Sequence, residues 1–140
     1  MDEIDKSILL HLQENARVSM TELGKKVGLS TPATNERVKK LEDKGVIKGY
    51  RAIINPEKMN KHVTAFILFD TRRCEAFREF CRIHPHVIEC HRLAGQFSYL
   101  VKIITESVKN LEEFIDEAME YGQPSTLINL SSTVEYKPFS

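Results

Sequence analysis

The chain has 140 residues, 41% of them hydrophobic and 29% charged, and no apolar run approaches the ~18 residues of a membrane-spanning helix, which leaves one compact soluble domain or two small ones. Twenty basic and 20 acidic side chains cancel to zero formal charge, a balance that argues against a nucleic-acid partner until its distribution is counted. Residues 1–62 carry 12 Lys and Arg against 9 Asp and Glu, residues 63–140 carry 8 against 11, and the stretch from Arg17 to Arg51 carries 9 against 4, the pattern of a basic module joined to an acidic companion.

From Asp2 to Ala16, Ile4, Ile8, Leu9 and Leu12 recur on one side of a helical period, with Asp5, Lys6, Gln13 and Glu14 between them, which predicts an amphipathic first helix. Ser19-Met20-Thr21-Glu22 has the form of a capping box, and Leu23 and Val27 supply the buried side of a short second helix that stops at Gly28. Ser30-Thr31-Pro32 offers a hydroxyl cap and a first-turn proline, and Thr34, Val38 and Leu41 carry a third helix to Gly45. Two short helices around a Gly-containing turn make a helix-turn-helix. The β-prone stretch Val46 to Ile54, ended by Asn55-Pro56, is expected to form a strand or small hairpin beside the helices, the wing.

With Thr34, Val38 and Leu41 turned inward, the third helix presents Thr31, Pro32, Asn35, Glu36, Lys39, Lys40 and Asp43 outward. Asn35 can pair with adenine through two hydrogen bonds, and Lys39 can reach a guanine edge or a phosphate. Lys25 and Lys26 on the second helix, with Lys48 and Arg51 on the wing, would bracket the duplex backbone. Arg37 lies beside the buried stripe, where either a phosphate contact or an internal pair with Glu42 or Asp43 would satisfy it. The candidate DNA-binding set is therefore Thr31, Pro32, Thr34, Asn35, Arg37, Lys39 and Lys40 on this helix, plus Lys25, Lys26, Lys48 and Arg51.

Residues 55–62 read as a polar linker, and Val63 to Asp70 is a near-continuous apolar run suited to a central strand covered on both faces. Phe77, Phe80, Cys81 and His84 mark a helix ended by Pro85; Val87 to Leu93 and Tyr99 to Thr105 read as two strands joined at Ala94-Gly95-Gln96-Phe97-Ser98. Val108, Leu111, Ile115, Ala118 and Met119 mark another helix, up to Gly122-Gln123-Pro124, and Thr126 to Tyr136 reads as the last strand. The order β-α-β-β-α-β predicts a ferredoxin-like sandwich, with two helices on one face of a four-stranded antiparallel sheet. The fold class is thus α+β: a winged helix-turn-helix in 1–54, a linker in 55–62 and a ferredoxin-like βαββαβ domain in 63–140. The bare sheet face, with Ile67, Leu100 or their neighbours, is expected to meet a second copy, and paired winged helices on a two-fold axis would read a pseudopalindrome.

The segments Leu29-Ser30, Arg37-Val38-Lys39-Lys40-Leu41-Glu42, Gly45-Val46-Ile47-Lys48-Gly49-Tyr50 and Leu93-Ala94-Gly95-Gln96-Phe97-Ser98-Tyr99-Leu100-Val101-Lys102 resemble the leucine-responsive/asparagine-synthase regulators, the Lrp/AsnC or feast/famine family, along nearly the whole chain. The resemblance implies a double-stranded-DNA-binding transcription regulator of the cytoplasm, dimeric through its ferredoxin-like half, commonly assembled into octamers, and modulated by an amino acid or other small ligand at the turn formed by Ala94, Gly95, Gln96, Phe97, Ser98 and Tyr99. Two positions depart from the family pattern: Ser98 stands where an aspartate is usual, and Asn60 where a glycine is usual. Asparagine tolerates the left-handed backbone nearly as glycine does. A serine, by contrast, offers the ammonium of a free amino acid only a neutral acceptor, so the expectation is weak or absent binding of a leucine-like effector, or an ammonium paired by another group.

The remaining signals are sparse. The acidic start, Met1-Asp2-Glu3, has no basic region or cleavage site of an export signal. Cys74 and Cys81, two turns apart on one helix, would lie ~10 Å from each other, so the three cysteines read as reduced core thiols. His84, His86, Cys90 and His91 crowd together, but Pro85 breaks the chain between them and Cys90 and His91 point to opposite faces of a strand, which opposes a convergent metal site. No metal, cofactor or catalytic residue is expected. The alternatives are a tetrapyrrole-binding enzyme, since sirohaem decarboxylases resemble this two-part architecture, a ligand-independent architectural DNA-binding protein, and a protein-interaction adaptor.

Overall fold

Asp2 begins the first helix. In the computed structural model, which describes residues 1–140, its carboxylate accepts the N–H of Asp5 and the Asp5 carboxylate accepts the N–H of Asp2, a reciprocal cap that opens α1 (Glu3–Glu14). Helix α2 (Met20–Val27) starts where the Ser19 hydroxyl accepts the Glu22 N–H at 3.1 Å and ends at Gly28, whose φ of 76° is the left-handed C-cap. Ser30 caps α3 (Thr31–Asp43), with Pro32 in the first turn. Ile8, Leu12, Leu23, Val38 and Leu41 bury their side chains together, with Ile4, Val27, Leu29 and Ile47 packed around them, so the three apolar stripes face one core as the periodicity predicts. Gly24 is essential to the α2–α3 corner: a Cβ there would stand 2.6 Å from the Leu29 carbonyl oxygen and 2.8 Å from the Thr34 hydroxyl.

The wing differs from the expectation. Residues 46–54 are in no strand; the Val46 and Ile47 N–H groups both donate to the Leu41 carbonyl, ending α3, and the rest runs on with Ile53 82% exposed. β-prone residues make a strand only where another strand supplies ladder partners, and none lies beside this segment. The linker also contains structure: a 3₁₀ turn at Pro56–Met59 closes on Asn60, which has a φ of 58°, the left-handed conformation that asparagine accepts.

The second half folds as β1 (Val63–Asp70), α4 (Cys74–Ile83), β2 (Val87–Arg92), β3 (Tyr99–Thr105), α5 (Val108–Ala118) and β4 (Gln123–Ile128). All pairings are antiparallel in the order β2-β3-β1-β4, which gives the ferredoxin-like topology. Ala65, Ile67, Phe69, Tyr99, Val101 and Ile103 bury one sheet face against Phe77 and Cys81 of α4 and Leu111, Phe114 and Ala118 of α5. Ile67 is therefore on the covered face, at 0% exposure, and not on the bare one. The alternation of β1 and β3 sends Phe66, Leu68, Leu100, Lys102 and Ile104 to the opposite face.

The last strand is shifted from its expected position: it begins at Gln123, runs through Pro124 and stops at Ile128 rather than extending to Tyr136. Proline is tolerated because β4 is an edge strand, paired on one side with β1. By contact, the chain divides into one unit of Met1–Ile53 with Val134–Ser140 and another of Ile54–Thr133, so the C-terminal tail belongs with the three helices, although 63–140 reads as one domain. The Gln13 side-chain amide donates to the Phe139 carbonyl at 2.8 Å, and its oxygen accepts from the Phe139 N–H and the Tyr136 hydroxyl. Gln13 thus uses its donor and its acceptor on the tail.

Candidate nucleic-acid interface and ligand turn

The outer row of α3 is set by what its inner row must do. Thr34, Val38 and Leu41 are buried, and one helical turn separates successive members of the outward row, half-buried Thr31 and exposed Asn35 and Lys39. Pro32, Asn35, Lys39 and Lys40 are exposed, as are Lys25 and Lys26 of α2 and Lys48 and Arg51 after α3. Lys25, Lys26, Lys39, Lys48 and Arg51 pair with no carboxylate, whereas Lys40 reaches Glu36 at 3.2 Å on the same exposed face. The Asn35 amide donates back to the Thr31 carbonyl at 3.2 Å, and the Thr31 hydroxyl meets that of Thr21 at 3.1 Å, so α2 and α3 are joined at the point where the row begins.

Two residues of the candidate DNA set are placed elsewhere. Thr34 is wholly buried and donates its hydroxyl hydrogen to the Ser30 carbonyl at 2.8 Å; beside Gly24 it packs the corner and is withdrawn from any groove. Arg37 makes its internal pair with α1 and not with Glu42 or Asp43: its guanidinium donates to Asp2 at 2.6 Å and to Asp5 at 3.2 Å. That hydrogen bond, with the Asp5 N–H behind it, holds the Asp2 carboxyl down at about 2. Arg37 therefore fixes α3 to α1. The reach back to Asp2 is a long-range contact that no local spacing announces, although Asp2 as an N-cap followed by Asp5 is legible. Tyr50 is pushed up to about 12, by partial burial and then by Glu42, which faces its hydroxyl.

The turn from Ala94 to Ser98 connects β2 to β3, closed by the Leu93 N–H donating to the Ser98 carbonyl at 2.8 Å, and Gly95 adopts a φ of 143° open to glycine alone. Ala94, Gly95 and Gln96 are exposed, Phe97 and Ser98 partly buried. The Ser98 hydroxyl is engaged: it donates to the Thr71 carbonyl at 3.3 Å and lies 3.4 Å from the Thr71 N–H, while the Ser98 N–H donates to the Phe69 carbonyl. Thr71 in turn donates its hydroxyl hydrogen to the Tyr121 carbonyl at 2.6 Å. Tyr99 is not a turn-surface residue; it is 1% exposed, with its ring 5.2 Å from that of Phe77 and its hydroxyl accepting from Arg78 at 2.8 Å. His84 packs on Phe114 and approaches Glu117 at 3.3 Å, and its burial draws its pKa below the ordinary histidine value, against the pull of Glu117.

Residues 1–48 match the family model for winged helix-turn-helix DNA-binding domains, and residues 64–139 match that for the Lrp/AsnC ligand-binding domain. The chain belongs to the Lrp/AsnC family. It is 56% identical over 133 residues to an uncharacterised HTH-type transcriptional regulator of Bacillus subtilis, YezC, covering 95% of this chain and 96% of that one. Among solved structures, LrpC of B. subtilis superposes with a TM-score of 0.91 at 33% identity, covering 97% of this chain and 99% of that one. A transcriptional regulator of Neisseria meningitidis, solved as its L-Met complex, gives a TM-score of 0.91 at 28% identity over 100% of this chain and 96% of that one. This Lrp/AsnC protein is accordingly a transcriptional regulator that joins a helix-turn-helix DNA-binding module to a ligand-binding module, and no helix in it is long and apolar enough to cross a membrane.

Proposed function

We propose that this Lrp/AsnC regulator reads its operator with Asn35 and Lys39 of α3, the row that begins at Thr31 and Pro32, while Lys25, Lys26, Lys40, Lys48 and Arg51 hold the phosphate backbone. The observation that carries this reading is the outward row of half-buried Thr31 and exposed Asn35 and Lys39 above the buried Thr34, Val38 and Leu41. DNA binding falls to residues 1–54 and effector binding to the 63–140 half, with no catalytic step. The protein works in the cytoplasm as a dimer joined through the bare sheet face, on which Phe66, Leu68, Leu100 and Ile104 lie, and the dimers assemble further, to octamers. Its effector is a free amino acid held near Ala94–Phe97, an assignment that the L-Met complex of the Neisseria relative supports. Since the Ser98 hydroxyl is spent on Thr71, the ammonium of that effector pairs with a group outside the turn.

The test is footprinting and salt-dependent affinity on operator and random duplexes. Asn35→Ala should lose ~1–3 kcal/mol on the operator and relax its sequence preference. Lys48→Ala should weaken all duplexes alike and flatten the salt slope by about one. Footprints unchanged by both substitutions would move the interface off α3. For the effector, calorimetry against the common amino acids decides: sub-millimolar binding that persists in Ser98→Ala is the expected result if the ammonium pairs elsewhere, and binding abolished by that substitution alone would restore Ser98 as its partner.

A further inference from the structure

Cys81 and Cys90 are nine residues apart in sequence and come from different elements, yet the fold sets them side by side. Cys81 is on the buried stripe of α4, next to Phe77, and Cys90 is on the covered face of β2, packed against the same core. Because β2 is an edge strand, the space between it and α4 opens to solvent as a cleft of about 460 Å³, lined by both cysteines together with Arg78, Arg82, Glu89 and Tyr99. Cys81 is buried at the inner end and Cys90 is partly exposed, so a small molecule entering the cleft meets Cys90 first.

We propose that Cys81 and Cys90 form an oxidisable dithiol, a modification site for hydrogen peroxide in which Cys90 is the attacking thiol and Cys81 the resolving one. Nucleophilic thiols are those held as thiolates in a cationic, accessible setting. The neighbouring Cys81 thiol lowers the Cys90 pKa to about 7, with His91, Arg78 and Arg82 adding to that effect and burial opposing it. The charged groups lining the cleft are Arg78 and Arg82 from α4 and Glu89 and Arg92 from β2, while His91 acts on Cys90 from the next position of the strand, on its other face; Glu89 is occupied by His91 and Lys102. Cys74 is partly exposed as Cys90 is, but it sits at the start of α4, outside the cleft, and its thiol donates to the Thr71 carbonyl at 3.8 Å.

The chemistry balances with one peroxide. The Cys90 thiolate attacks one peroxide oxygen, the O–O bond breaks, and the departing hydroxide takes a proton to leave as water; Cys90 is now a sulfenic acid, oxidised by two electrons. The Cys81 sulfur then attacks the Cys90 sulfur, an S–S bond forms as the S–O bond breaks, and the Cys81 proton leaves with the hydroxide as a second water. The product ties α4 to the edge strand beside Tyr99, the first residue of β3 after the turn, which is held by Arg78.

The experiment is peroxide treatment of the full chain, followed by alkylation of the remaining thiols and mass mapping under non-reducing conditions. Wild type should lose two of its three thiols and yield a Cys81–Cys90 linked peptide that thiol reductants reverse, with Cys74 still alkylatable. Cys90→Ser should retain both remaining thiols. Cys81→Ala should stop at a Cys90 sulfenic acid trapped by a dimedone probe; because Cys81 is a core residue, circular dichroism accompanies that variant, and the wild-type peptide map decides the matter if it fails to fold. Oxidation of Cys74 ahead of Cys90, a linked pair other than Cys81–Cys90, or three free thiols after excess peroxide would each overturn the proposal.

Discussion

Arg37 stands where two uses of a cation compete, and the internal one prevails. Its guanidinium bridges Asp2 and Asp5, two carboxylates that already close the α1 N-cap, so one side chain satisfies the helix start and joins it to α3. Asp2 has its pKa depressed from 3.8 to about 2, and a depressed acid contributes stability that is fully present above its unfolded value and is lost as pH falls through the folded one. The loosening of the α1–α3 contact is therefore expected between pH 3.8 and about 2. In Arg37→Ala the Asp2 carboxyl should titrate above about 2 and part of the way back to 3.8, as read by NMR of its side-chain carbon, because the Asp5 N–H still holds it; a variant that still titrates near 2 would assign the depression to the cap with Asp5 alone. The place of Arg37 beside the buried stripe leaves a phosphate contact and an internal pair both open. The partner's identity is not legible there, since Glu42 and Asp43 are nearer in sequence and only the packing of α1 brings Asp2 closer in space.

Helices with apolar stripes and hydroxyl or carboxylate caps appear where their residues predict them, because each such signal acts within a few positions of itself. Corners are where two elements must touch, and there the glycines act. Adding a methyl at Gly24 would force it onto the Leu29 carbonyl and the buried Thr34 hydroxyl, and at Gly122 onto the Asp70 carbonyl and the Phe69 ring. Overpacking of this kind costs ~1–3 kcal/mol, so Gly24→Ala and Gly122→Ala should each lower the urea midpoint, the first with loss of operator binding. A midpoint unchanged in Gly24→Ala would show that the α2–α3 corner relaxes freely. Segments that depend on partners went otherwise: Val46 to Ile54 is β-prone but has no neighbouring strand, and β4 begins at Gln123 and runs through a proline that composition alone reads as a stop.

The bare face of the sheet is a property of the whole chain, since it exists only because both helices of the βαββαβ half lie on the other side. Leu68 and Leu100 are directly paired across β1 and β3, with Phe66 opposite Lys102 beside them. Covering such a patch stabilises by ~25 cal/mol per Å² before the cost of association. Leu100→Asp should shift the protein toward monomer in analytical ultracentrifugation while the circular dichroism of the chain stays the same. An unaltered assembly in a folded Leu100→Asp chain would place the joining surface elsewhere. Periodicity, caps and charge distribution were sufficient for a helix-turn-helix ahead of a ferredoxin-like sandwich, and for the outward row on α3, because side-chain burial along one helix or strand follows from its own repeat. The docking of the tail on Gln13, the capture of Ser98 by Thr71, the burial of Tyr99 and the meeting of Cys81 with Cys90 depended on the folded chain. Each joins residues whose separation in sequence carries no period, so their pairing follows only once the core has fixed where every element lies.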